Sequence, residues 1–152
     1  MTIQFYRADD PYGYLSNFSR HHVYMDGKRW PTSEHYYQAM KFPTDPELQE
    51  RIRHAKSPGI AKRLAWKKNV PLRPDWRQAR DQVMLDVLRA KFTQNIELQE
   101  QLLETGEEYL VEHTYRDHYW GDNGDGSGEN KLGILLMQVR DEIRDELTQN
   151  TE

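Results

Sequence analysis

Val83, Leu85, Val87, Leu88 and Phe92 recur with the spacing of a long buried helix over residues 76–92. A second apolar run, Leu132, Ile134, Leu135, Leu136 and Met137, belongs to a final helix spanning about residues 131–147, and residues 97–104 form another. Pro31-Thr32-Ser33-Glu34 opens a helix with Thr32 or Ser33 as its N-cap, running to about Phe42 and stopped by Pro43. Pro46 opens the next, and Ser57-Pro58 supplies a cap and a first-turn proline for one more. Short strands are read at residues 3–6, 22–25 and 110–114. The Asp26-Gly27 pair before Lys28-Arg29-Trp30 is a hairpin signal, which predicts a small antiparallel sheet near the N-terminus. The expected architecture is α+β: a mostly helical single domain, residues 1–152, with a small antiparallel sheet.

Composition narrows the chemistry more than the fold. No cysteine is present, which removes disulfides, thiolate nucleophiles and cysteine zinc sites together and fits a reducing cytoplasm. No leader and no membrane-length apolar run is read, so a cytoplasmic protein without a membrane partner is expected. The six histidines show no ligand spacing, so no metal is expected, and no serine-hydrolase elbow occurs. The net charge of -4 hides an asymmetry, because residues 51–80 carry ten Lys/Arg against the single acid Asp75. That +9 stretch reads more readily as solvated helix faces than as a nucleic-acid footprint, with a cation reaching toward a phosphorylated small molecule as a third reading.

Residues 117–130 hold four glycines, three aspartates and two asparagines beside Trp120, and run directly into the last helix. Such a loop builds a site, because glycines permit positive φ and close approach, while the helix start offers N–H groups to an anion. It is not a calcium loop: with Gly126 as the central glycine, Gly121 and Leu132 occupy the positions that need acids. Nor is it a dinucleotide fingerprint, since Glu129 stands where the third glycine belongs, and no Gly-Lys-Ser/Thr occurs.

Glu34, Gln38 and Lys41 fall at i, i+4 and i+7, on one face of a helix whose neighbouring positions are Tyr36, Tyr37, Met40 and Phe42. A polar stripe in so aromatic a helix lines a cavity or pairs internally; the plainer alternative is a surface Glu34–Lys41 ion pair. Asp117 and Trp120 place an acid beside a flat ring at the strand-to-loop junction, and Trp76 is a second such ring, with core packing as its plainer reading.

Together, Asn17-Phe18 after Tyr12-Gly13, the run from Trp30 through Pro-Thr-Ser-Glu-His-Tyr-Tyr-Gln-Ala-Met-Lys to Phe42, Leu88-Arg89-Ala90-Lys91-Phe92, Leu110-Val111-Glu112-His113-Thr114, Tyr119-Trp120-Gly121-Asp122 and Asn130-Lys131-Leu132-Gly133 resemble the NADAR family over nearly the whole chain. The resemblance implies an N-glycosidase that cleaves the C–N bond of the first two ribosylamino-pyrimidine 5'-phosphate intermediates of riboflavin biosynthesis, releases ribose 5-phosphate and needs no cofactor. It implies activity at Glu34, Trp76, Asp117 and Trp120. An alternative implied by relatives is removal of ADP-ribose from guanine in DNA, with Lys41 forming an imine to the opened sugar; a third is a non-catalytic ADP-ribose-binding module.

Breaking a glycosylamine bond needs a carboxylate near an oxocarbenium-like centre, a proton for the leaving amine and a grip on phosphate. Within the resemblance, Glu34 and Asp117 divide the acid and water-activating roles in either order. Trp76 and Trp120 stack the pyrimidine, Asn17, Gln38 and Asn130 bind ribose hydroxyls, and Gly121 contacts the substrate. Phosphate meets loop amides before Lys131 or a cation of the basic stretch.

Overall fold

The computed structural model describes residues 1–66 and 70–150, so Lys67 and Lys68 of the basic stretch lie outside the described residues. The chain packs as two compact units, Asn17–Lys91 and Met1–Ser16 with Phe92–Glu152.

In the unit Asn17–Lys91, β2 (Val23–Met25) and β3 (Lys28–Trp30) form the antiparallel hairpin that Asp26-Gly27 announces. Both turn residues take positive φ, 55° and 75°, the backbone that a two-residue hairpin requires. Then follow α1 (Ser33–Ala39), α2 (Pro46–Arg53) and α3 (Pro58–Trp66), which pack on one another. Each start has a local cause. Thr32 Oγ1 accepts from His35 N at 3.2 Å, Asp45 Oδ1 from Leu48 N at 3.0 Å, and Ser57 Oγ from Ile60 N at 3.1 Å. All seven residues of α1 are buried. It ends at Ala39, earlier than expected, because Pro43 bars a helical Phe42; Lys41 N and Phe42 N bond instead to Gln38 O and Ala39 O in a tighter turn.

The long helix α4 (Trp76–Gln94) buries Met84, Leu85, Val87, Leu88 and Phe92, while Val83 is only half-buried. In the other unit, Asn95 caps α5 (Ile96–Glu104) by accepting from Leu98 N at 3.2 Å. The first strand departs from the expected sheet. β1 (Thr2–Phe5) pairs in parallel with β4 (Tyr109–Glu112), Phe5 opposite Glu112, and takes no part in the hairpin. A tight turn couples only antiparallel neighbours, whereas a parallel pair needs a long crossover that local sequence does not advertise. The last helix, α6 (Lys131–Asn150), packs on β4 and buries Leu132, Leu135, Leu136, Val139 and Ile143. Gly133 makes this approach possible, because a Cβ there would overlap Leu110 O.

Lys91, on the last turns of α4, is 1% exposed, and burial lowers its pKa to about 7. An unfolded lysine keeps its ordinary, higher pKa, so the unfolded chain holds the extra proton between the two values and folding becomes more favourable as pH rises through that window. Lys91→Met removes this penalty. We expect its stability advantage over the wild type, read by urea denaturation, to be largest at or below pH 7 and to shrink toward pH 10. An advantage that stays constant across that range would show that Lys91 is charged in the folded protein.

Candidate active site

The buried α1 is held by polar contacts that leave little freedom to its side chains. Thr32 Oγ1 lies 2.8 Å from His35 Nδ1, and His35 Nε2 lies 3.0 Å from Ala55 O. A neutral ring donating from Nε2 and accepting at Nδ1 satisfies both, and burial, partly opposed by the Ala55 carbonyl, lowers the histidine's pKa in keeping. Ser33 donates to Asn17 Oδ1 at 2.8 Å, Asn17 O accepts from Glu34 N at 3.2 Å, and Asn17 Nδ2 reaches Met84 Sδ at 3.3 Å. Asn17 is thus a brace that fixes the segment entering Glu34. Neither Ser33 nor His35 stood out as part of this frame in the sequence; the spacing from a cap threonine to a histidine three residues on was its only signal.

Glu34 is buried, and its Oε2 accepts from Gln38 Nε2 at 2.6 Å. Lys41 lies in the turn after the helix, not on its third turn, but Glu34 and Lys41 still feel each other's charge. With Glu34 buried and Lys41 half-buried, the two do not form an ion pair on the open surface. Lys41 Nζ sits 5.5 Å from the centre of the Tyr37 ring and 5.9 Å from that of Trp76, and the two rings lie 5.1 Å apart. Backbone bonds hold this arrangement: Arg73 N donates to Lys41 O at 3.0 Å, and Trp76 N to Arg73 O at 3.1 Å. Burial pulls the Lys41 pKa below its ordinary value, Glu34 opposes this and Lys62 adds to it. Trp76 is buried, packed on Tyr37 with the half-buried Lys41 amine nearby.

The glycine-rich loop belongs to the other unit and is built differently from expectation. Asp117 Oδ1 accepts from Tyr119 N at 3.0 Å and Trp120 N at 2.8 Å. Asp122 Oδ1 accepts from Thr114 N and Gly124 N, and its Oδ2 lies 2.8 Å from His113 Nδ1. Burial opposes the charge of Asp122, but the bonds from His113, Gly124 and Thr114 prevail and hold its carboxyl below the usual range. The amides expected to receive phosphate are already engaged: Glu129, Asn130, Lys131 and Leu132 donate to the carbonyls of His118, Gly121, Tyr119 and Trp120. Those four N–H groups are closed to an anion, because an N–H given to a carbonyl is not available to a ligand. Asn130, at φ 53°, accepts from Glu112 N at 3.0 Å and donates to Leu110 O at 2.9 Å, so its carboxamide clasps β4. Gly121 is buried where a Cβ would strike Thr114. Trp120 is half-buried, edge-on to Tyr119 with ring centres 4.9 Å apart.

The basic stretch is dispersed over α2, α3 and the approach to α4. Arg53 pairs with Glu50 and Arg73 with Asp75, while Arg51, Lys56, Lys62, Arg63 and Arg77 are exposed. Among the described residues no group of three His, Asp or Glu side chains is arranged to hold a metal, and no helix is long and apolar enough to cross a membrane.

The family model for the NADAR domain matches residues 4–144. The chain is 49% identical to N-glycosidase YbiA of Escherichia coli (strain K12) over 93% of its own length and 88% of that protein's. It is 44% identical to the riboflavin biosynthesis protein VVA0006 of Vibrio vulnificus, covering 97% of this chain and 40% of that one. The NMR structure of the Escherichia coli protein YbiA superposes with a TM-score of 0.89 at 48% identity, over 97% of this chain and 87% of that one. With this match over most of its length, and with six helices, a parallel strand pair and a small antiparallel hairpin among the described residues, the chain belongs to the NADAR family and is a hydrolase acting on N-glycosyl bonds.

Proposed function

We propose that the substrates are the first two ribosylamino-pyrimidine 5'-phosphate intermediates of riboflavin biosynthesis, cleaved at the C–N bond to release ribose 5-phosphate. The observation that carries the reading is the buried carboxyl of Glu34, held by Gln38 at 2.6 Å within reach of the charge of Lys41. A glycosylamine loses its amine through a cationic sugar, and a fixed carboxylate in a dry setting stabilises that charge far better than water would. The relative from Vibrio vulnificus carries riboflavin biosynthesis in its name, which supports this substrate class.

In this mechanism Glu34 faces the anomeric carbon, and Trp76 packs on the base. Asp117 Oδ1 is occupied by two loop amides. Phosphate falls to a side-chain cation, since the amides of residues 129–132 are given to carbonyls.

Glu34→Gln is expected to lower ribose 5-phosphate release from 5-amino-6-ribosylaminouracil 5'-phosphate by about two to four orders of magnitude while the protein stays folded. Unchanged turnover would remove Glu34 from the mechanism, and release from ADP-ribosylated guanine DNA alone would move the activity to nucleic acid. Asp117→Asn keeps an acceptor for the amides of Tyr119 and Trp120 but loses the charge, so a fall in kcat at unaltered melting temperature is expected; an unaltered kcat would confine Asp117 to loop structure. Burial favours the neutral form of the Lys41 amine, the form that attacks an opened sugar. Borohydride is expected to trap a covalent adduct with substrate in the wild type and none in Lys41→Ala. Trapping that survives in the variant would exclude that lysine.

A further inference from the structure

Gln38 is 3% exposed, and its carboxamide is committed at one end only. Nε2 donates to Glu34 Oε2 at 2.6 Å. The orientation is fixed by charge, because the flipped amide would press one oxygen against another. Oε1 therefore faces away from Glu34, buried, and among the described residues no donor reaches it. A buried carbonyl without a donor is costly, and most such groups in folded proteins are paired. Placed beside a reactive carboxyl, an acceptor of this kind selects a ligand that brings a donor.

From this we infer that Gln38 is a specificity-determining residue that accepts a hydrogen bond from the sugar 2-hydroxyl through Oε1 while Nε2 holds Glu34, so that the enzyme prefers ribosyl over 2-deoxyribosyl N-glycosides. The inference rests on the proposed function. Glu34 Oε2 and Gln38 Oε1 lie on either side of a single amide nitrogen. A sugar whose anomeric carbon faces Glu34 thus brings the hydroxyl of the adjacent carbon to Gln38. As positive charge develops at the anomeric carbon, that hydroxyl becomes a stronger donor, and its bond to a fixed carbonyl tightens in the transition state. A 2-deoxy sugar leaves Oε1 buried and unsatisfied, and the hydroxyl-reading site rejects it.

The test compares kcat/KM for a ribosylamino-pyrimidine 5'-phosphate and its 2-deoxyribosyl counterpart, each divided by its own uncatalysed hydrolysis rate, since deoxy sugars lose their amine more readily in water. The wild type is expected to favour the ribosyl substrate on the order of a hundredfold. In Gln38→Met both rates fall, because Glu34 loses its donor, but the preference collapses to within about threefold. Gln38→Asn, which withdraws the carbonyl by one methylene, collapses it too. A purely structural role would slow both substrates alike and leave the ratio intact. A ratio retained in both variants, or no preference in the wild type, overturns the inference while turnover of the ribosyl substrate still stands. Absence of any turnover by the wild type overturns the substrate reading and this inference with it.

Discussion

A helix buried on every residue has nowhere to send an unmatched polar group, and that constraint governs the unit Asn17–Lys91. α1 carries serine, glutamate, histidine, two tyrosines and glutamine into an interior where each unpaired group costs about 1–3 kcal/mol. The chain answers with partners drawn from elsewhere in the same unit: Asn17 for Ser33 and for the amide of Glu34, Thr32 and Ala55 for His35, Asp26 for the Tyr36 hydroxyl at 3.4 Å. What such a frame delivers to function is immobility. The carboxyl of Glu34 cannot swing out to water without breaking the bond to Gln38, so its position is set before any substrate arrives.

The opposite strategy organises the glycine-rich loop. Here there is almost no regular structure, and two aspartates collect the amides that a helix or strand would have used. Asp117 and Asp122 take four backbone donors between them, and four carbonyls of residues 118–121 receive those of residues 129–132. The glycines serve this closure, giving the backbone room to approach itself as well as any ligand.

How much of this was visible in the residues depends on range. Helix starts were legible because a cap and its amide lie three positions apart, as at Thr32, Asp45 and Ser57, and the hairpin was legible because Asp-Gly tolerates positive φ. The polar face of α1 was readable from its spacing. Its last member was misplaced, since Lys41 lies beyond the final helical residue, Ala39. The partner of β1 was invisible, because nothing local to Thr2–Phe5 names Tyr109–Glu112. The destination of the loop amides was equally hidden: composition says that a loop can bend, but only the folded chain says which carbonyl each N–H meets. The burial of Lys91 went against residue type, and only tertiary packing decides it.

The parallel pairing of β1 with β4 has a consequence for biosynthesis. A ribosome makes Thr2–Phe5 first and Tyr109–Glu112 only after every helix from α1 to α5 has been made, so the first strand waits for its mate through most of translation. The unit Asn17–Lys91, contiguous in sequence, emerges whole during that wait, whereas the unit that contains β1 closes only when its two distant stretches meet. Through that interval Phe5, which ends up 2% exposed, has no cover from β4. The polar and charged residues around it, Thr2, Gln4 and Arg7, give the nascent strand protection from mispairing while its partner is unmade.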